Sequence, residues 1–279
     1  MLNEPRGRVR FFRRAGDRPR PKLRRGVYLL PSLMTMGNMF CGYACVVYAA
    51  RGEFETAAPF IGFAIVLDML DGRIARLTGT TSEFGVQFDS LADIISFGIA
   101  PAILSFSWGL APLGRLGWAA GFLFVAAAAM RLARFNIQAA SGGDKRYFVG
   151  MPSPAAAAIP AATVYAYPWG LYDYRAALPA LAMVLLPALL MVSTIRFRSF
   201  KTIDLHVRRS YTILIVIAAA IVLITTHPRF VLVAMAYTYL ASPFVGMAIN
   251  RLRHRGNPDP AAAHPLDGRE RALQDVEDH

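Results

Sequence analysis

Eight predominantly apolar stretches, near 28–50, 57–78, 89–109, 115–138, 154–170, 176–195, 211–226 and 229–250, leave this chain few ways to fold. A helix needs about 20 such residues to cross the hydrocarbon core of a membrane. Inside that core every backbone N–H and C=O must be bonded internally, which a helix achieves by itself. The expected fold is therefore an all-α, polytopic integral membrane protein of about eight transmembrane helices. With 55% apolar and 17% charged residues, the chain is too apolar for an ordinary soluble domain. Pro152, Pro154, Pro160 and Pro168 crowd the fifth stretch, which a membrane helix tolerates where neighbours satisfy the freed carbonyls.

The net charge of +12 suggests nucleic acid only until its placement is considered. Ten of the 30 Lys and Arg lie in 1–27, and most others lie in 73–88, 131–146, 196–209 and 251–279. The alternate loops hold Arg51, Arg115, Arg175 and Arg229. This is the bias that keeps basic loops in the cytosol, and with an even number of spans it predicts both termini there. A nucleic-acid partner is not expected. Residues 1–27 have no apolar core before a small-residue cleavage site, so they are not a secretory signal. Their arginines either orient the first helix or contact anionic lipid headgroups, at about 1 kcal/mol per basic residue. Cys41 and Cys45 stand one helical turn apart without nearby histidines and read as packing residues. The five histidines fall in loops or the tail, so no zinc site is visible.

Against this apolar background four carboxylates stand out: Asp68-x2-Asp71-Gly72-x2-Ala75-Arg76-x8-Gly85-x3-Asp89-x3-Asp93. An ionisable group near the hydrocarbon costs roughly 2.5–3.5 kcal/mol on insertion scales, so four need a compensating charge. Residues three and four apart share a helix face, which lines up Asp68, Asp71 and Gly72 with Ala75 and Arg76 a turn further on. Gly72 would let a ligand lie against the backbone. Asp89 and Asp93, also four apart, open the next helix, and the predicted topology puts both pairs at the cytosolic surface. Adjacent carboxylates cannot all stay ionised without cations. Oxygen-only ligands favour Mg²⁺, Mn²⁺ or Ca²⁺ over zinc, and Mg²⁺ typically shares its carboxylates with substrate phosphate. Two such ions can neutralise a diphosphate, with Arg76 adding a charge-assisted bond. The competing readings are acids that pair with arginines to hold helices together, or that relay ions in a metal-coupled transporter.

The whole spaced motif resembles that of the CDP-alcohol phosphotransferases, with each position matched. The resemblance implies a six-helix membrane core, often dimeric, in which an alcohol displaces CMP from a CDP-linked substrate with the help of divalent metal. It implies that Asp68, Asp71, Asp89 and Asp93 are metal ligands, that Asp93 is also the base for the attacking hydroxyl, and that Gly72, Arg76 and Ser82 bind the CDP moiety. Leu30–Gly42, Arg131–Asn136 and Phe148–Ala155 are further similar to the membrane-embedded bacterial phosphatidylserine synthases, a subfamily with two helices beyond the core. Met151 stands where that pattern has leucine. This similarity adds Pro31, Ser32 and Thr35 to the CDP-diacylglycerol site. Asn38, buried mid-span, either reaches the headgroup or bonds a neighbouring helix.

The motif sets the chemistry and leaves the acceptor to other residues. Arg131 and Arg134 are three apart, so they can clamp a carboxylate while Asn136 bonds an amine or hydroxyl. Lys145 and Arg146 are as well explained by positive-inside bias. The expected reaction is transfer of a phosphatidyl group from CDP-diacylglycerol to L-serine, with Mg²⁺ or Mn²⁺, two ions, at the aspartates. Inositol phosphate, glycerol phosphate and choline remain alternative acceptors, since a phosphorylated one also suits a basic pocket. The expected organisation is a basic cytosolic segment over 1–27, a transmembrane catalytic domain over 28–250 and a polar, disordered cytosolic tail over 251–279. The expected setting is a multi-pass homodimer among the lipids of the inner cell membrane, its active site facing the cytoplasm.

Overall fold

A computed structural model of the protein describes residues 29–79, 82–140, 148–194, 196–197, 222–223 and 225–255. The basic segment 1–27, nearly all of the predicted seventh span at 211–226, the tail from 256, and Lys145 and Arg146 lie outside the described residues. Among the described residues the helices with full bounds are α1 (Leu29–Ala50), α2 (Phe54–Thr78), α3 (Glu83–Leu113), α4 (Arg115–Ala140), α5 (Ser153–Ala166), α6 (Tyr174–Val192) and α7 (Pro228–Arg255). By length and composition, Pro31–Ala50, Glu83–Leu113, Arg115–Gln138 and Tyr174–Val192 can each cross a membrane. The α2 helix is long enough but carries Asp68, Asp71, Arg73 and Arg76 towards its end. Pro152 precedes α5, and Tyr167 leaves helical geometry after it, so the predicted fifth span is shorter than 154–170.

Two local features shape the frame around the acids. Gly79, at φ 63°, closes α2, and Ser82 caps α3 by accepting the Gly85 N–H at 3.0 Å. Only four positions therefore separate the two helices. Consequently α3 starts at Glu83, and Asp89 sits well inside it rather than opening it. Further along, α3 widens into π-helical turns at Ile95–Ile99 and Phe106–Leu110. Pro101 and Pro112 follow them closely and cannot donate to a carbonyl one turn back, so the hydrogen-bonding register shifts before each.

The α1 helix packs on both α2 and α3, α2 also packs on α5, and α4 packs on α6. Small side chains make these approaches close, as in other membrane bundles. A Cβ on Gly42 of α1 would lie 2.6 Å from Ser96 Oγ of α3, and one on Gly117 would lie 2.0 Å from the Leu110 carbonyl oxygen. Ala57, Ala58, Ile61, Ala64, Phe97, Leu104 and Phe124 are in the shared core, and Cys41 and Cys45 are buried free thiols in it. Leu33, Phe40, Phe63, Trp118, Phe122 and Leu189 are exposed on the outer surface, as suits a membrane protein whose surroundings are lipid. A two-residue ladder joins β1 (Phe148–Val149) antiparallel to β2 (Arg196–Phe197) beside the start of α5.

Candidate active site

The acids of α2 and α3 converge although those helices meet chiefly through α1. One carboxylate oxygen each from Asp68, Asp71 and Asp89 lies within 4.8 Å of the other two. Asp71 is the most enclosed, at 4% exposure. Asp93 stands one turn along α3, outside that close group. The α1 helix supplies the support: Thr35 Oγ lies 3.0 Å from Asp71 Oδ2 and 3.1 Å from the Pro31 carbonyl oxygen, so its one proton is shared between them. The fully buried Asn38 donates its amide to Asp93 Oδ1 at 3.4 Å, while its backbone carbonyl accepts the Ser96 hydroxyl at 2.8 Å. Ser96 lies in the first wide turn of α3, so the backbone irregularity and the acid site are joined through one residue of α1.

The α4 helix brings a cation to the acids. Arg131 is in electrostatic reach of Asp93, Asp68 and Tyr239. It donates from Nη1 to Ser153 Oγ of α5 at 2.9 Å, and its guanidinium sits 5.6 Å from the Phe135 ring centroid. Arg134 is exposed. Asn136 turns to α3 and donates to Ser90 Oγ at 2.9 Å. The three predicted acceptor residues therefore face different surroundings, because Asn136 is five positions from Arg131 and lies on another side of the helix. Ser32 is half-buried on α1. Gly72 is half-buried, and a Cβ there would meet nothing within 4 Å, so its face of α2 borders open space. Arg76 follows one turn later on the same helix.

Residues 28–195 match the family model described as CDP-alcohol phosphatidyltransferase. The chain belongs to the CDP-alcohol phosphatidyltransferase family. The CDP-diacylglycerol–serine O-phosphatidyltransferase of Helicobacter pylori strain 26695 is 38% identical over 197 residues, which is 70% of this chain and 83% of that protein. The enzyme of that name from Mycobacterium leprae is 40% identical over 144 residues, 50% of this chain and 48% of its own. The archaetidylserine synthase of Methanothermobacter thermautotrophicus is 35% identical over 170 residues, 60% and 69% of the two chains.

In this phosphatidyltransferase the acid group suits a divalent cation. Its donors are all oxygen, three carboxylates converge, and the buried Asp89 Oδ1 has no hydrogen-bond partner. A buried carboxylate oxygen without a donor is costly, and a cation would supply what the protein does not. Two participants escaped the sequence reading. Ser153 lay inside the quoted Phe148–Ala155 stretch, yet nothing marked its hydroxyl as the partner of Arg131. Tyr239 comes from α7, far along the chain, and no spacing signals it.

Proposed function

We propose that this CDP-alcohol phosphatidyltransferase transfers the phosphatidyl group of CDP-diacylglycerol to L-serine, giving phosphatidylserine and CMP. The observation that carries the reading is the convergence of three carboxylates from two helices around an unpartnered oxygen, with a basic side chain beside them. The serine-specific names of the relatives support the choice of acceptor. Asp68, Asp71, Asp89 and Asp93 are the assigned ligands for Mg²⁺ or Mn²⁺, two ions. When bound, such ions neutralise a diphosphate and stabilise charge on the leaving group.

The chain's own residues supply the rest. Pro31, Ser32, Thr35, Asn38, Gly72, Arg76 and Ser82 form the headgroup site, Thr35 acting on it through Asp71. Asp93 takes the proton of the serine hydroxyl as its oxygen bonds to the lipid-linked phosphorus. The bond from that phosphorus to the CMP oxygen breaks, and CMP leaves with the electron pair. Asn38 holds Asp93 from α1. Arg131 receives the acceptor's carboxylate, Arg134 adds positive charge at the mouth, and Asn136 ties α4 to α3.

The catalytic domain spans 28–250 between a basic segment, 1–27, and a polar tail, 251–279. The protein is a multi-pass homodimer of the inner cell membrane, with both termini and the active site at the cytoplasm, where serine is soluble. The skew of Lys and Arg supports that orientation. Purified protein incubated with CDP-diacylglycerol and Mg²⁺ or Mn²⁺ is expected to release CMP when serine is added. Release with inositol phosphate, glycerol phosphate or choline in place of serine would overturn the acceptor, and no release with any alcohol would overturn the reaction.

A further inference from the structure

The stretch from Phe148 to Ser153 is fastened with unusual firmness for a connecting segment. Phe148 and Val149 pair with Phe197 and Arg196. Gly150 has φ 85°, and a Cβ there would lie 2.5 Å from the Met191 carbonyl oxygen, so the backbone presses on the end of α6 as a larger residue would not allow. The buried Met151 then donates its N–H to the Leu190 carbonyl at 3.0 Å. Pro152 starts α5, and Ser153, 3% exposed, is its first residue. The side chain that emerges from this clamp meets Arg131 at 2.9 Å.

Resting on the reading of serine as acceptor, we propose that Ser153 is a positioning residue that holds Arg131 apart from the acids as the acceptor's carboxylate receptor. Arg131 lies in the field of Asp93 and Asp68, yet among the described residues the one ion pair joins Arg229 and Glu55. A guanidinium beside two carboxylates in a poorly hydrated site is drawn onto them. Such a pair would occupy both the base and the receptor. The bond to Ser153 and the Phe135 ring give the guanidinium another seat. Its remaining N–H groups then serve a carboxylate, which Ser153 influences only through Arg131. In serine the hydroxyl and the carboxylate are two carbons apart, so the site needs a base and a cation that are adjacent but unpaired. An alcohol without an anionic group, such as choline, gains nothing from this arrangement.

The test is steady-state kinetics of full-length protein in mixed micelles with CDP-diacylglycerol and Mn²⁺. Loss of a charge-assisted hydrogen bond should raise the serine KM of Ser153→Ala about 10-fold. The kcat and the KM for CDP-diacylglycerol should hold, and Ser153→Thr should restore the serine KM. In an Arg131→Lys background, Ser153→Ala should add no further effect. An unchanged serine KM in Ser153→Ala, or the same increment in both backgrounds, overturns the proposal. Should Ser153→Ala not fold, Ser153→Cys, near in volume with a weaker acceptor, is decided by the same KM-against-kcat comparison. Absence of serine-dependent CMP release from the unsubstituted protein would overturn the underlying reading, a result separate from any effect of substitution.

Discussion

Replacing Thr35 by Val removes one hydroxyl from α1 at almost constant volume, and its effect should appear in the acid group rather than in the packing. Asp71 is 4% exposed, so water cannot take over the 3.0 Å bond that Thr35 supplies. A hydrogen bond to a charged group contributes about 1.5–3 kcal/mol. The Thr35 proton is shared with the Pro31 carbonyl at 3.1 Å, which places its worth at the lower end. About 1.5 kcal/mol corresponds to roughly a 10-fold loss of affinity for a cation held by Asp71, within the usual range for a side chain that orients a metal ligand. Titrating Mn²⁺ into detergent-purified protein, with the free ion followed by electron paramagnetic resonance, reads this without turnover. Thr35→Ser should bind nearly as the parent does. A Thr35→Val protein that remains folded and binds Mn²⁺ within about 2-fold of the parent would refute the argument that Thr35 orients Asp71.

Other outcomes follow from the same contacts. Asp93→Asn should abolish CMP release while sparing CDP-diacylglycerol binding by equilibrium dialysis; retained turnover would remove Asp93 from its role as base. Arg131→Ala should raise the serine KM more than Arg134→Ala, because Arg134 is exposed and Arg131 adjoins the acids; equal effects would contradict that ranking. Gly42→Ala places a Cβ 2.6 Å from Ser96 Oγ and 2.8 Å from Ser96 Cα, so about 1–3 kcal/mol of overpacking should lower the thermal midpoint. An unchanged midpoint would show that α1 and α3 separate easily there. Reporter fusions at either terminus should report the cytosol, and an external terminus would invert the proposed topology.

What the sequence shows and what it hides in this protein differ in the range of the interactions involved. The acid motif was legible because its spacing is local: three- and four-residue intervals on a helix align side chains whatever surrounds them. The apolar stretches were legible for a similar reason, since composition alone makes a segment fit for lipid. Boundaries were less so. The end of α2 at Thr78 and the start of α3 at Glu83 depend on Gly79 and on capping by Ser82, whose place in the motif suggests the headgroup site instead. The shorter α5 depends on where Pro152 and Tyr167 leave helical geometry. The wide turns of α3 carry no sequence mark beyond the prolines that follow them.

By itself, the amino-acid order determined that helices would form, that the chain is a membrane protein, and that two pairs of acids would each share a helix face. It did so because hydropathy and helical period are properties of neighbouring residues. Only the tertiary structure decided what those acids and Arg131 touch. Thr35 reaches Asp71 across 36 positions, Asn38 reaches Asp93 across 55, and Ser153 partners Arg131 across 22. Such pairings arise where small residues let helices approach and where an enclosed polar group must find a partner. The partner can come from anywhere in the chain, so no local pattern announces it.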